Sequence, residues 1–124
     1  MSVAILRQGE YLIASVQSDL TDREVVDVRD ELSRRVGAER IRGIVIDVSV
    51  LDVIDSFVAR ALRAVAATAA LRGAETVVAG IRPQVAIAMV HFQLDLAPLR
   101  SALDLDEALA LLDALASGGG GHGG

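Results

Sequence analysis

The segment 43–48, Gly-Ile-Val-Ile-Asp-Val, constrains the fold more than any other part of this chain. It is rich in β-branched residues and apolar except for Asp47. A strand with one face in water alternates apolar and polar residues, whereas this segment has no polar face. The sequence therefore predicts a central strand that is covered on both sides by other elements.

Two short apolar segments precede this strand, at residues 3–6 and Tyr11–Val16, with Gly9 between them. Their spacing predicts a β-hairpin with glycine in the turn. A capping-box pattern begins at Thr21, and apolar residues recur at helical spacing from there until Gly37. We expect an amphipathic helix of about four turns in this region.

Helical and strand patterns alternate in the second half of the chain. A helical stripe covers Ser56–Leu71, and further strands are predicted at residues 76–79 and within 99–103. Additional helices are expected to begin at Pro83 and after the N-cap residue Asp104. This order predicts a single α/β domain with a mixed, mostly parallel sheet, an N-terminal β-hairpin and about four α-helices.

The length of 124 residues suits one domain. We assign residues 1–116 to this domain and expect a disordered tail at 117–124, where serine, glycine and one histidine offer nothing to a core. Hydrophobic residues make up 52% of the chain, yet no segment approaches the roughly 18 uncharged apolar residues of a membrane helix. The N-terminus does not resemble a signal peptide, so a cytoplasmic protein is expected.

Composition also narrows the partners and the chemistry. The formal net charge of -5 disfavours binding to nucleic acid or to an anionic membrane, because both are bound through basic patches. The absence of cysteine excludes disulfides, thiolate metal sites and cysteine nucleophiles. No cofactor is expected.

Three carboxylates lie around the junction between the central strand and the next helix: Asp47, Asp52 and Asp55. The carboxyl ends of parallel strands are where open sheets present ligand and partner sites. A carboxylate cluster can hold a metal or form an acid/base pair, but no histidine is close in sequence and no glycine-rich phosphate loop is present. We therefore expect neither a metal site nor enzymatic activity.

Ser56 follows the last of these carboxylates and has two interpretations. A serine at the start of a helix can be its N-cap, which stabilises the helix by about 1 kcal/mol, and spacing alone favours this role. Alternatively, an exposed hydroxyl there can receive a phosphoryl group, which adds roughly -1.5 to -2 charges. The helix dipole would favour that charge, whereas the nearby aspartates would repel it.

Three segments in order resemble the STAS domain family: residues 46–57, with Asp-Val-Ile-Asp-Ser-Phe at their end, 79–86, Ala-Gly-Ile-Arg-Pro-Gln-Val-Ala, and 102–106, Ala-Leu-Asp-Leu-Asp. Within that family they are most similar to stressosome proteins of the RsbS type. The resemblance covers the chain to about Ala116. Simple anti-sigma-factor antagonists usually follow the serine with glycine or another small residue, so Phe57 favours the stressosome branch.

The resemblance implies a non-enzymatic regulator of the bacterial general stress response. A protein of this type is a scaffold subunit that sequesters an RsbT-type serine/threonine kinase and releases it when phosphorylated on serine, here Ser56. Further implied partners are RsbR-type STAS paralogues and an RsbX-type phosphatase, in homo- and hetero-oligomers. The residues expected to contact partners are Asp47, Asp52, Asp55, Phe57 and Arg60.

Two other interpretations remain open from the sequence. A free-standing anti-sigma-factor antagonist would use the same serine, but it would be a monomer or dimer. An enzyme would use the aspartates with a metal ion.

Overall fold

The structure is a computed structural model that describes residues 2–121, in which two initial strands are followed by alternating helices and strands. The described elements are β1 (Val3–Gln8), β2 (Tyr11–Val16), α1 (Asp22–Ala38), β3 (Gly43–Asp47), α2 (Ser56–Leu71), β4 (Glu75–Ala79), α3 (Pro83–His91), β5 (Arg100–Ala102) and α4 (Leu105–Gly121). None of these helices is long and apolar enough to cross a membrane.

The five strands form one sheet in the order β1-β2-β3-β4-β5. β1 and β2 are antiparallel and joined by a tight turn at Gly9, whose φ of +62° suits glycine. Every other neighbouring pair is parallel. The predicted α/β domain with a mixed sheet, an N-terminal hairpin and four helices is therefore confirmed.

β3 lies in the middle of the sheet and is buried on both faces, as its sequence predicts. Ile44 and Ile46 belong to a core shared with α1, α2 and α3, whereas Val45 belongs to a second core beneath α4. Burial of each such side chain contributes roughly 1.5–3 kcal/mol. A Cβ at Gly43 would lie 2.8 Å from a methyl carbon of Leu112, so glycine lets α4 approach this strand closely.

Capping residues define the helix starts predicted from sequence. Thr21 forms the expected capping box with Glu24, and the carboxylate of Asp104 accepts the backbone N–H of Glu107 at 2.8 Å. α1 continues to Ala38, so the sequence estimate of its end was one residue short.

The C-terminal helix extends into the segment predicted to be a tail. Helical geometry continues to Gly121. α4 therefore covers residues 117–121 of the predicted tail, whose disorder stays a prediction, and residues 122–124 lie outside the described part of the chain. The domain boundary after residue 116 stays a prediction.

Candidate functional site

The candidate site lies at the carboxyl edge of the sheet, in the loop of residues 48–55 between β3 and α2. We call this segment the β3–α2 loop. Its first residue, Val48, donates its backbone N–H to the carbonyl of Ala79 at the end of β4, 3.0 Å away. Leu51 and Ile54 are buried and anchor the loop in the core, whereas Val53 between them is 63% exposed. The loop is thus attached to the core on one side and exposed to solvent on the other.

Asp55, and not Ser56, is the N-cap of α2. The Asp55 carboxylate accepts the backbone N–H of Val58 at 2.9 Å, and Ser56 is the first residue of the helix itself. The N-cap interpretation of Ser56 is therefore wrong, because an equally good capping residue stands immediately before it. The Ser56 side chain is exposed and makes no hydrogen bond with any residue in the part of the chain described.

The other two aspartates also have defined partners. Asp47 is half-buried, and its carboxylate accepts the backbone N–H of Ser49 at 2.9 Å. Asp52 is exposed and pairs with Arg82, with 2.6 Å between Oδ1 and Nη1. Among residues 2–121, no three histidine, aspartate or glutamate side chains are grouped as a metal site would require. The carboxylates of the site therefore bind backbone N–H groups and a guanidinium.

Two further predicted contact residues lie on the first turns of α2. Phe57 is half-buried and Arg60 is exposed. Arg60 follows Ser56 by four positions, so both lie on the same side of the helix, one turn apart. α2 contains two arginines and no acidic residue, which makes this helix basic beside an acidic loop.

The sequence prediction missed the contribution of the loop between β4 and α3. Arg82 donates from Nε to the carbonyl of Ser49 at 2.8 Å, in addition to its bond with Asp52. Gly80 has a φ of +81°, and a Cβ there would lie 2.9 Å from the Cβ of Ser49. Because β3 and β4 are parallel neighbours, the loops at their carboxyl ends must meet, and this signal was available from the predicted topology.

Comparisons with known proteins show which family and which solved structures this chain is similar to. The family model described as the STAS domain matches residues 2–108. A solved structure of a serine-to-glutamate variant of RsbS from Moorella thermoacetica superposes with a TM-score of 0.82 and has 34% sequence identity to this chain. The match covers 94% of this chain and 99% of that one. A chain in the structure described as the molecular architecture of the stressosome, a signal integration and transduction hub, is 33% identical, with a TM-score of 0.72, over 91% and 98%.

A more distant likeness is one of fold alone. The anti-sigma factor antagonist SpoIIAA in its unphosphorylated form is 13% identical with a TM-score of 0.69, over 92% of this chain and 97% of that one. The search of curated proteins found no significant match. The family model and the two more similar structures confirm the resemblance inferred from the sequence: this chain belongs to the STAS domain family.

Proposed function

We propose that this protein is a non-enzymatic stressosome scaffold subunit, which holds an RsbT-type serine/threonine kinase and releases it when Ser56 is phosphorylated. The observation that carries this proposal is the free hydroxyl of Ser56. Asp55 supplies the helix cap, so the exposed serine has no structural bond to lose when it is modified. Similarity to RsbS and to a stressosome chain supports the regulatory role.

The charges and dipoles around Ser56 allow a phosphate to change the surface charge of the protein without unfolding α2. The backbone N–H groups of Ser56 and Phe57 lie in the first helical turn and have no acceptor within the described residues. Together with the helix dipole they stabilise a phosphate at this end of α2. Asp52 and Asp55 repel the same phosphate, so the added charge acts mainly on whatever docks against this surface.

The proposed docking surface is formed by the top of the β3–α2 loop and the first turns of α2. Val53 supplies exposed apolar area to it, and Phe57 lies at the start of the helix. Arg60 adds a cation one turn below Ser56, while the aspartates add negative charge. A kinase that binds this surface of mixed charge loses affinity when a phosphate adds roughly -1.5 to -2 charges at its centre.

The proposal includes assembly with RsbR-type STAS paralogues in the cytoplasm and resetting by an RsbX-type phosphatase. α3 supports the assembly, because Ile87, Val90 and Phe92 at its outer side and end are 71%, 78% and 70% exposed. Large apolar side chains gathered on one element of a surface favour a protein contact.

The proposal is tested by incubating the protein with an RsbT-type kinase and ATP and locating the phosphate by mass spectrometry. We expect modification of Ser56 and at least about tenfold weaker kinase binding afterwards, equivalent to ~1.4 kcal/mol. Ser56→Ala should abolish the label, whereas Ser101→Ala, which removes an exposed hydroxyl from β5, should retain it. Full labelling of Ser56→Ala would refute the assignment.

Size-exclusion chromatography with and without an RsbR-type paralogue tests the assembly separately. We expect a large particle when both proteins are present. A single small species under both conditions would refute the scaffold role and leave the free-standing antagonist, which uses the same serine.

A further inference from the structure

Arg82 joins two loops that are about thirty residues apart in sequence. Its guanidinium reaches the carbonyl of Ser49 at 2.8 Å and the carboxylate of Asp52 at 2.6 Å. We infer that Arg82 is a positioning residue for phosphorylation of Ser56, because it holds the outer side of the β3–α2 loop in the conformation that a kinase must recognise. This inference rests on the proposed function and adds a second loop to the recognition surface.

The position of Arg82 at the start of α3 supports this role. Arg82 is the N-cap residue of α3, where serine, threonine, aspartate or asparagine would normally satisfy a free backbone N–H. No side-chain capping bond is present at this position, and Pro83 follows it at the first helical residue. An arginine side chain has no acceptor for a backbone N–H, and here it extends to the β3–α2 loop. Positions that break a local preference occur mostly at functional or strained sites.

The geometry of the Arg82 guanidinium also matches the two oxygen atoms that it contacts in the β3–α2 loop. The arginine fork holds N–H donors on separate nitrogens in one fixed plane, and Arg82 uses Nε for the carbonyl of Ser49 and Nη1 for the carboxylate of Asp52, whereas lysine carries all its donors on one nitrogen. Gly80 allows the two loops to approach, since a Cβ there would lie 2.9 Å from that of Ser49. Leu51 and Ile54 fix the loop from the core side, so Arg82 restrains the side that the core does not reach.

Two consequences for Ser56 follow from this arrangement. Arg82 balances the charge of Asp52, one of the carboxylates that oppose the arrival of a phosphoryl group four residues further on. It also fixes the backbone from Ser49 to Asp52, just before the acceptor residue. Loss of this restraint should weaken recognition of the protein as a substrate, with little effect on transfer once the complex has formed.

The inference is tested with Arg82→Gln, Arg82→Lys and a control, Arg72→Gln. Arg72 is also exposed and donates to a backbone carbonyl, that of Gly37 at 3.4 Å, but it lies beyond the opposite end of α2. The steady-state kinetics of Ser56 phosphorylation by an RsbT-type kinase and the hydrogen exchange of the amides of residues 49–54 are measured for each variant. We expect Arg82→Gln to raise KM by roughly three- to tenfold with kcat within about twofold, and to speed exchange at residues 49–52.

Rescue by lysine separates charge from geometry. Arg82→Lys should restore KM only in part, because lysine retains the charge but cannot place donors at both the Nε and the Nη1 positions of the arginine. If Arg82→Gln is poorly folded, Arg82→Lys and Asp52→Asn test the same contact from its two sides, and both should speed loop exchange. Wild-type KM and wild-type exchange in these variants would overturn the inference. If the wild-type protein is not phosphorylated on Ser56, the proposed function fails, whereas the exchange data still decide whether Arg82 holds the loop.

Discussion

The contact between the two loops predicts a large effect for Gly80→Ala. Gly80 has a φ of +81°, which costs an alanine about 1–2 kcal/mol. The new methyl group would lie 2.9 Å from the Cβ of Ser49 and 3.3 Å from Oδ1 of Asp47, and relief of such overpacking adds about 1–3 kcal/mol. The total loss of unfolding free energy is therefore about 2–5 kcal/mol.

The loss converts to a readily measured change in melting temperature. An unfolding entropy of about 2.1 cal/mol/K per residue gives roughly 0.26 kcal/mol/K for a chain of this length. Gly80→Ala should consequently lower the Tm by about 8–20 °C in calorimetry, and urea titration should give the matching loss of free energy.

Two other glycines provide matched controls for this substitution. Gly73 has a φ of +79°, but no atom lies within 4 Å of the position that a Cβ would take, so Gly73→Ala should incur only the conformational cost of about 1–2 kcal/mol. Gly37 lies inside α1 with open space around it, and Gly37→Ala should stabilise the protein by about 0.5–1 kcal/mol. If Gly80→Ala and Gly73→Ala lose the same free energy within about 0.5 kcal/mol, the loops do not form the rigid contact described above.

Two further predictions concern regions remote from the site. Thr76 is 3% exposed and its hydroxyl has no hydrogen-bond partner within the described residues, so Thr76→Val should raise the unfolding free energy by about 1–2 kcal/mol in urea titration; an unchanged or lower value would show that the hydroxyl is satisfied. The hydrogen bond from Arg35 lowers the pKa of Glu39 below its ordinary value of 4.5, so Glu39 stabilises the fold above that pH and the contribution is lost as the pH falls through the lowered pKa. Glu39→Gln should therefore reduce the loss of stability that accompanies acidification from neutral pH to below 4.5 in denaturant titrations, and an unchanged pH dependence would contradict the assignment.

The fold was predictable because its signals are local and repeated. The β-branched segment of β3, the glycine at the hairpin turn and the capping box at Thr21 each specify one element, and their order leaves few topologies. The N-cap of α2 was predicted at Ser56, one residue after its position at Asp55. Asp55 and Ser56 are equally suitable N-caps, and apolar periodicity does not define a helix start to a single residue.

The candidate site was predictable only in the part that is contiguous in sequence. Ser56 and the aspartates lie within ten residues of sequence, between the end of β3 and the first residue of α2, so a pattern search finds them. Arg82 and Gly80 reach the same place through the parallel pairing of β3 and β4, and their contacts depend on backbone conformation and side-chain direction. The spacing of residues in the sequence specifies neither the backbone conformation nor the side-chain direction, although the predicted strand order does indicate that the two loops are neighbours.

The three aspartates of the site are not equivalent, and this decides how their role in partner binding should be tested. Asp47 and Asp55 each accept a backbone N–H within two or three residues, whereas Asp52 pairs with Arg82. Alanine at Asp47 or Asp55 would remove a structural acceptor together with the charge, so weaker kinase binding by that variant would not identify the cause. Asparagine retains an oxygen that can accept the same N–H and removes only the charge. A loss of affinity shared by Asp47→Asn and Asp55→Asn would therefore assign the effect to electrostatics, and a loss confined to the alanine variants would assign it to the shape of the loop.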